Sequence, residues 1–324
     1  MIKKTPALGL LLAFIVCLSA SCSSGAPAPT SAPLKVEWTL LQGDYTLLVA
    51  NQMGFFKQHG LDVDPVRYDS TTQAIPDLAG AKLDGGILTM SDTLLASNLA
   101  NIKVVMASDN GDEYAIVASP DIQSVNDLRG KRIGFNLHTS SEMFVSYMLQ
   151  SQHMTLSDVT YVEMSPSQVS QNIPSKIDAG LVWEPYINQA LAQGKTIVYR
   201  SDYYSSLIPQ LVVFRNAVLE QRPQDIRAFV LAWDEAVQYR TTHPQESLAL
   251  ISKATGLPIR DLSLESNRIL YTLNNNVQFF SNRAGTDPSS IYYIAGFNQD
   301  FLITEGYLTA QLNIDTLIDP SFLK

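Results

Sequence analysis

Along this chain, segments with the apolar pattern of a strand alternate with segments with the apolar pattern of a helix. Short apolar runs at 35–41, 61–68 and 84–90 have the length and the β-branched content of strands. Between them, 45–60 has the period of an amphipathic helix, and Ser and Thr residues introduce a shorter helix at 70–83. Strand, helix and strand at this spacing predict a parallel sheet with right-handed crossovers, and therefore an α/β fold.

One such unit occurs twice. The stretch "SKIDAGLVWEPY" (175–186) repeats the pattern of "AKLDGGILTMSD" (81–92), with Lys, an aliphatic residue, Asp, a small residue and Gly before an apolar run. The likeness extends upstream, because 59–86 and 153–180 each contain a strand, a Ser/Thr-rich turn and a helix with Ile-Pro. Because the unit occurs only twice and its repeat distance is long, we predict two similar α/β lobes and not a solenoid.

The pattern changes after residue 216. The segments 222–243, 244–256 and 259–273 carry apolar residues at spacings of three and four, which predicts three helices. Strands stop recurring in this part of the sequence. We therefore expect a helical C-terminal part that packs on one of the two lobes.

The N-terminus has the pattern of an export signal. Lys3 and Lys4 precede the apolar run 7–20, which is too short and wrongly flanked for a membrane span, so 1–21 is predicted to be a signal peptide. Ser-Ala-Ser before Cys22 resembles a bacterial lipobox, and predicts that Cys22 carries a lipid anchor. Ordinary cleavage after a small residue is the alternative.

Composition limits what the rest of the chain can do. Residues 22–34 are rich in Pro, Ser and Ala and predict a flexible tether behind the lipidated Cys. The net charge of -9 argues against a nucleic-acid partner. The two cysteines are Cys17, which lies in the signal, and Cys22, so the folded part has no disulfide, no Cys-ligated metal and no Cys nucleophile. We predict no cofactor and no metal.

Several stretches together resemble one family. "GDYTLLVANQMGFFKQHGLDV", "DLRGKRIGF", "IDAGLVWEPY" and "NIDTLIDPSFL" are similar, in this order, to solute-binding proteins of ABC importers for nitrate, sulfonates, taurine and thiamine-pyrimidine precursors, the SsuA/THI5-like or NMT1-like family. The resemblance implies a periplasmic-binding-protein fold with a two-strand hinge. One lobe would comprise 35–112 plus 213–324, and the other 113–212.

The same resemblance implies the partners. Members of the family close their lobes on a small-molecule solute and deliver it to an ABC permease. For this chain we expect a monomer, held at the outer face of a membrane by the lipid anchor. The same fold also resembles a thiamine-pyrimidine synthase, and it serves in ligand-sensing modules, so an enzyme and a sensor remain alternatives.

Ligands of open α/β sheets bind at the carboxyl ends of the strands. Polar and aromatic residues fall at those positions here, and "NLHTSSEMF" also offers backbone N–H groups at a helix start. The candidate ligand-binding residues are Asp44, Tyr45, Ser91, Asp92, Asn136, His138, Thr139, Ser140, Ser141, Trp183, Glu184 and Tyr186.

Several of these candidates have a plainer explanation. Asp44 and Ser91 could simply cap helices, and Thr139 with Glu142 fits a capping box. Trp183 could be core packing. Several of the candidates are acidic and none is Lys or Arg, which favours a nitrogenous ligand such as an aminopyrimidine-like heterocycle over a sulfonate or nitrate.

Overall fold

The computed structural model describes residues 1–2, 32–110, 114–137, 139–200, 207–262 and 269–324. Most of the predicted signal, the predicted lipidation site Cys22 and the candidate His138 lie outside these residues. Within them the chain forms two separate mixed sheets, which are surrounded by helices. The predicted α/β fold is therefore confirmed.

The first sheet has the order β11-β4-β10-β3-β1-β2. Its strands β1, β2 and β3 are parallel, and β10 runs antiparallel between β3 and β4. In chain order these strands are β1 (Leu34–Trp38), β2 (Val63–Arg67), β3 (Gly85–Thr89), β4 (Ile102–Asn110), β10 (Gln210–Arg215) and β11 (Ile269–Leu270).

The second sheet has the order β7-β6-β8-β5-β9 and repeats the plan of the first. Its three parallel strands β6, β7 and β8 correspond to β1, β2 and β3, and its antiparallel strand β5 corresponds to β10. The strand order thus explains the duplicated sequence pattern. The strands are β5 (Ala115–Ala118), β6 (Arg132–Phe135), β7 (Thr160–Glu163), β8 (Ala179–Val182) and β9 (Thr196–Arg200).

Helices connect the strands and cover both sheets. The predicted helix 45–60 is two helices, because Gly54 takes a left-handed conformation with φ +75° that ends the first one. The helices are α1 (Tyr45–Gln52), α2 (Phe55–Gln58), α3 (Thr71–Ala79), α4 (Met90–Ser97), α5 (Ser140–Gln150), α6 (Pro166–Asn172), α7 (Tyr186–Ala192), α8 (Asn216–Gln221), α9 (Pro223–Thr242), α10 (Pro244–Thr255), α11 (Leu273–Phe279), α12 (Ile291–Thr304) and α13 (Ile314–Leu317).

The C-terminal part is helical, with one exception to the prediction. Helices α9 and α10 coincide with the first two predicted helices, and α9 packs on α1 and α2 through Phe229, which stacks on Phe56 with ring centroids 5.0 Å apart. The third predicted helix, 259–273, is wrong. Its described residues form a 3-10 turn (Ile259–Asp261) and β11, which pairs with the otherwise open edge of β4.

None of the helices in the described ranges is long and apolar enough to cross a lipid bilayer.

Candidate functional site

A cavity lies between loops of the two sheets; we call it the inner cavity. Residues at the carboxyl ends of parallel strands form much of its wall, as expected for an open α/β sheet. The first sheet and its helices contribute Thr39, Leu41, Ser70, Thr71, Thr72, Thr89 and Asp92. The second sheet and its connections contribute Tyr114, Asn136, Thr139, Ser140, Ser141 and Trp183.

Six of the candidate residues line this cavity. They are Asp92, Asn136, Thr139, Ser140, Ser141 and Trp183. Trp183 directly follows β8 and is half-buried, with its ring centroid 5.7 Å from that of Tyr114. Two aromatic rings and a carboxyl group therefore share one small cavity.

The start of α5 borders the cavity as the sequence suggested. Thr139 caps the helix, because its hydroxyl accepts a hydrogen bond from the Ser141 backbone N–H at 3.1 Å. The hydroxyl groups of Ser140 and Tyr114 are hydrogen-bonded at 2.8 Å. Glu142, the other half of the predicted capping box, accepts a hydrogen bond from the Tyr307 hydroxyl. Thr139 thus combines both interpretations, since it caps the helix and lines the cavity.

Asp44 and Tyr45 lie in the core and not in the described lining of the cavity. Asp44 is the N-cap residue that precedes α1, but its Oδ2 accepts hydrogen bonds from the backbone N–H and the hydroxyl of Thr39, at 2.7 and 2.9 Å. The sequence suggested two roles for the Asp44 side chain, a helix cap and a ligand contact. In the structure it makes no capping hydrogen bond and is absent from the described lining of the cavity.

Ser91 is fully buried and absent from the described lining of the cavity. Its hydroxyl donates a 2.6 Å hydrogen bond to Oδ1 of Asn298 in α12. The residue that caps α4 is Thr89, whose hydroxyl accepts from the Asp92 backbone N–H at 3.1 Å. Sequence spacing did not reveal this, because Ser91 and Asn298 lie 207 positions apart.

Glu184 and Tyr186 follow Trp183 but are absent from the described lining of the cavity. Glu184 Oε2 accepts a hydrogen bond from the Asn188 backbone N–H at 3.2 Å, so it stabilises the first turn of α7. Burial raises the pKa of the Glu184 carboxyl. Tyr186 is the first residue of α7 and packs partly buried against the core.

Glu37, which the sequence did not suggest, forms a group of buried carboxyls with the candidates Asp44 and Asp92 at the wall of the inner cavity. Glu37, on β1, accepts a hydrogen bond from the Ile87 backbone N–H at 2.9 Å and interacts electrostatically with Asp44 and Asp92. Each of these three carboxyls has one oxygen without a hydrogen-bond partner among the described residues: Glu37 Oε1, Asp44 Oδ1 and Asp92 Oδ1. We call these three residues the carboxyl cluster.

Burial determines how the carboxyl cluster ionises. Burial and, to a smaller extent, the neighbouring charge of Asp92 raise the pKa of Glu37 to about 8, against the lowering effect of the Ile87 hydrogen bond. Burial also raises the pKa of Asp92 to about 6, and the pKa of Asp44 well above its usual range. At neutral pH the cluster therefore holds at least one proton.

A second, more open cavity of about 890 Å³ adjoins the first and shares Ser70, Thr72 and Asn136 with it. Here the Ser/Thr-rich turns of the repeat come together, since Ser165 and Ser167 follow β7 just as Ser70 and Thr72 follow β2. We call it the outer cavity. The duplicated sequence pattern could have identified these four residues, but none of them is among the candidate ligand-binding residues. The outer cavity is lined by Asp69, Ser70, Thr72, Gln73, Asn136, Glu163, Met164, Ser165, Ser167 and Gln168.

No group of three His, Cys, Asp or Glu side chains in the described parts of the chain is arranged to hold a metal ion.

Two sheets of the same strand order on either side of a polar cleft define the class of periplasmic binding proteins, in which two lobes enclose a small ligand. The chain superposes on the periplasmic nitrate-binding protein NrtA of Synechocystis PCC 6803 with a TM-score of 0.74 at 16% identity, which covers 91% of this chain and 88% of that one. Within this class, the chain belongs to the NMT1/THI5-like family, which it matches over residues 45–247.

Two relatives show the range of the family. A putative aliphatic sulfonates-binding protein of Bacillus subtilis is 22% identical over 97% of this chain and 95% of its own length. The taurine-binding periplasmic protein of Escherichia coli is 26% identical over 64% of this chain and 68% of its own length. This chain is thus similar to binding proteins that carry the names of different solutes.

Proposed function

We propose that this protein is the extracytoplasmic solute-binding component of an ABC importer. The observation that carries the proposal is the inner cavity, because residues from both sheets line it, and the similarity of this chain to a taurine-binding and a putative aliphatic sulfonates-binding protein supports it. The solute would be captured between two closing lobes and passed to a membrane permease. We propose the two sheets as the cores of these lobes, 35–112 plus 213–324 and 113–212.

We propose an aminopyrimidine-like heterocycle as the solute, in preference to a sulfonate or nitrate. Asp92 offers an acceptor for ring or amino N–H groups, and the rings of Tyr114 and Trp183 offer stacking surfaces. The described lining of both cavities contains no Lys or Arg. A carboxyl group beside an anion would be unfavourable.

Thermal-shift measurements on the purified protein test this assignment. A ligand that binds only the folded state raises the melting temperature. We expect stabilisation by 4-aminopyrimidines and none by taurine, alkanesulfonates or nitrate. Stabilisation by those anions alone would refute the aminopyrimidine assignment, and would leave the transport function standing.

Membrane attachment through Cys22 is a separate proposal. It rests on the sequence around Cys22, so fractionation of cells that express the Cys22→Ala variant tests it directly. We expect the wild type in the membrane fraction and the variant in the soluble extracytoplasmic fraction. An unchanged distribution would argue against the anchor.

An enzyme on the same fold is the alternative function. Among the described residues that line the inner cavity, the ionisable side chains are those of Asp92 and Tyr114. The described lining contains no His that could act as the base for a Ser or Thr nucleophile, and we therefore favour binding.

A further inference from the structure

The side chains of the carboxyl cluster are buried and only partly hydrogen-bonded by the described residues. Glu37, Asp44 and Asp92 are 1%, 0% and 4% exposed, and each has a carboxyl oxygen without a hydrogen-bond partner among the described residues. Buried polar groups are normally paired, because the loss of water is otherwise uncompensated. Something beyond the described side chains must therefore balance this group of acids.

Asp92 connects the cluster with the inner cavity. It lines the cavity wall, and its unpartnered Oδ1 is buried. The rings of Tyr114 and Trp183 line the same cavity. A carboxylate next to aromatic faces is the combination that recognises an organic cation, because the carboxylate supplies the opposite charge and the rings attract the cation electrostatically.

On the basis of the proposed function, we propose that the inner cavity selects a planar organic cation whose charged nitrogen pairs with Asp92, and that binding displaces one proton from the carboxyl cluster into the solvent. The only covalent change in this step is a proton transfer. An N–H group of the ligand donates to the Asp92 carboxylate, one carboxyl O–H bond in the cluster breaks, and that proton forms a new O–H or N–H bond on bulk water or buffer. Charge is conserved, because one positive charge replaces another.

The surroundings of the cluster favour this exchange. Asp109 on β4 adds a further negative charge beside Asp44, and the Tyr68 hydroxyl near Glu37 already donates to Asp77 at 2.7 Å. The nearest cation of the adjoining strand, Arg67, lies over the ring of Trp38. Mutual repulsion therefore keeps the cluster partly protonated until a positive charge arrives.

Glu37 acts through Asp92 and is a positioning residue. It is absent from the described cavity lining, and its Oε2 is held by the Ile87 backbone N–H at 2.9 Å. Its effect on the ligand is electrostatic, because its protonation state sets how readily Asp92 carries a negative charge. Replacement of Glu37 by Gln should therefore change the number of protons released on binding and should leave the contacts with the ligand largely intact.

Isothermal titration calorimetry of the intact protein tests the proposal with two matched pairs of probes, benzamidine with benzamide and phenylguanidine with phenylurea. We expect at least one cation to bind about tenfold or more tightly than its neutral isostere. Titrations in buffers of different ionisation enthalpy should show release of about one proton per cation bound. The affinity for the cation should rise by up to about tenfold per pH unit between about pH 6 and 8.

Two variants separate the roles within the cluster. Asp92→Asn should abolish the preference for the cation, whereas Glu37→Gln should keep the binding and reduce the proton release. Asp127→Asn is the control, because Asp127 belongs to an exposed capping box elsewhere in the chain. The proton count of the wild type remains decisive even if a variant does not fold.

The proposal falls if neither cation binds, if both members of each pair bind equally, or if binding releases no proton. Binding of taurine or nitrate without binding of the cations would overturn the charge assignment alone and would leave the proposed transport function intact. If no probe of any charge shifts the melting temperature, the proposed function falls as well.

Discussion

Asp84 and Asp178 make the same hydrogen bond in the two sheets. Asp84 Oδ2 accepts from the backbone N–H of Lys35 at 2.9 Å, and Asp178 Oδ2 accepts from the backbone N–H of Arg132 at 2.8 Å. In each case the Asp precedes one parallel strand and ties its start to the neighbouring strand. The repeated Asp of the duplicated pattern thus has a structural role.

Replacement of Asp178 by Ala should destabilise the protein by about 1–3 kcal/mol, because the carboxylate also pairs with the Arg132 guanidinium. Asp178→Asn keeps an acceptor for the backbone N–H and should lose less. Urea unfolding of both variants measures the difference. An Asp178→Ala midpoint equal to that of the wild type would show that the bond contributes nothing.

Gly86→Ala should disturb the carboxyl cluster. A Cβ at Gly86 would lie 2.7 Å from Oε2 of Glu37, so the buried carboxyl would have to move. We expect a loss of about 1–3 kcal/mol in the free energy of unfolding, from the strain of overpacking.

The matched control is Gly296→Ala in α12, where a Cβ would meet nothing within 4 Å. This variant should gain about 0.5–1 kcal/mol, because Ala favours a helix over Gly. Thermal or urea unfolding measures the change in the free energy of unfolding for both variants. Equal changes for the two substitutions would contradict the close packing of Glu37 on β3.

Tryptophan fluorescence should report ligand binding through a single side chain. Trp38 and Trp233 are buried, whereas Trp183 is half-buried in the wall of the inner cavity. A stacking ligand should therefore change the emission of the wild type, and the change should disappear in Trp183→Phe with little loss of stability. A signal that persists in this variant would place the ligand elsewhere.

The stability of the ligand-free protein should fall as the pH rises from about 5 to 8. The folded-state pKa of Glu37 lies at about 8, above the ordinary value of 4.5, so the folded state binds the proton more tightly than the unfolded state does. The stabilisation is complete below the unfolded pKa and is lost as the pH rises through the folded one, at up to about 1.4 kcal/mol per pH unit for one group.

Melting temperatures measured across this window test the effect, and Glu37→Gln should flatten the curve. Asp127→Asn serves as the control, since hydrogen bonds lower the pKa of Asp127 and its contribution therefore changes only at more acidic pH. A wild-type stability that rises toward pH 8 would contradict the protonated state of Glu37.

Local patterns identified part of the site. Thr139 was recognisable as a helix cap, and Asn136, Asp92 and Trp183 were recognisable because each follows a buried strand. Two other candidates have partners within the protein and are absent from the described lining of the cavity. The Ser91 hydroxyl donates to Asn298, which is too distant in sequence for a local pattern to indicate, and Asp44 accepts from Thr39 in a local turn that the residue pattern does not specify.

The sequence by itself determined the elements and their repetition, because hydrophobic period, turn residues and caps act over a few neighbouring positions. Only the tertiary structure decided that β10 completes the first sheet after the chain has built the second. It also decided that Glu37 lies against Asp44 and Asp92, since the burial and mutual repulsion that give this carboxyl its character arise only when β1, β3 and α4 pack together.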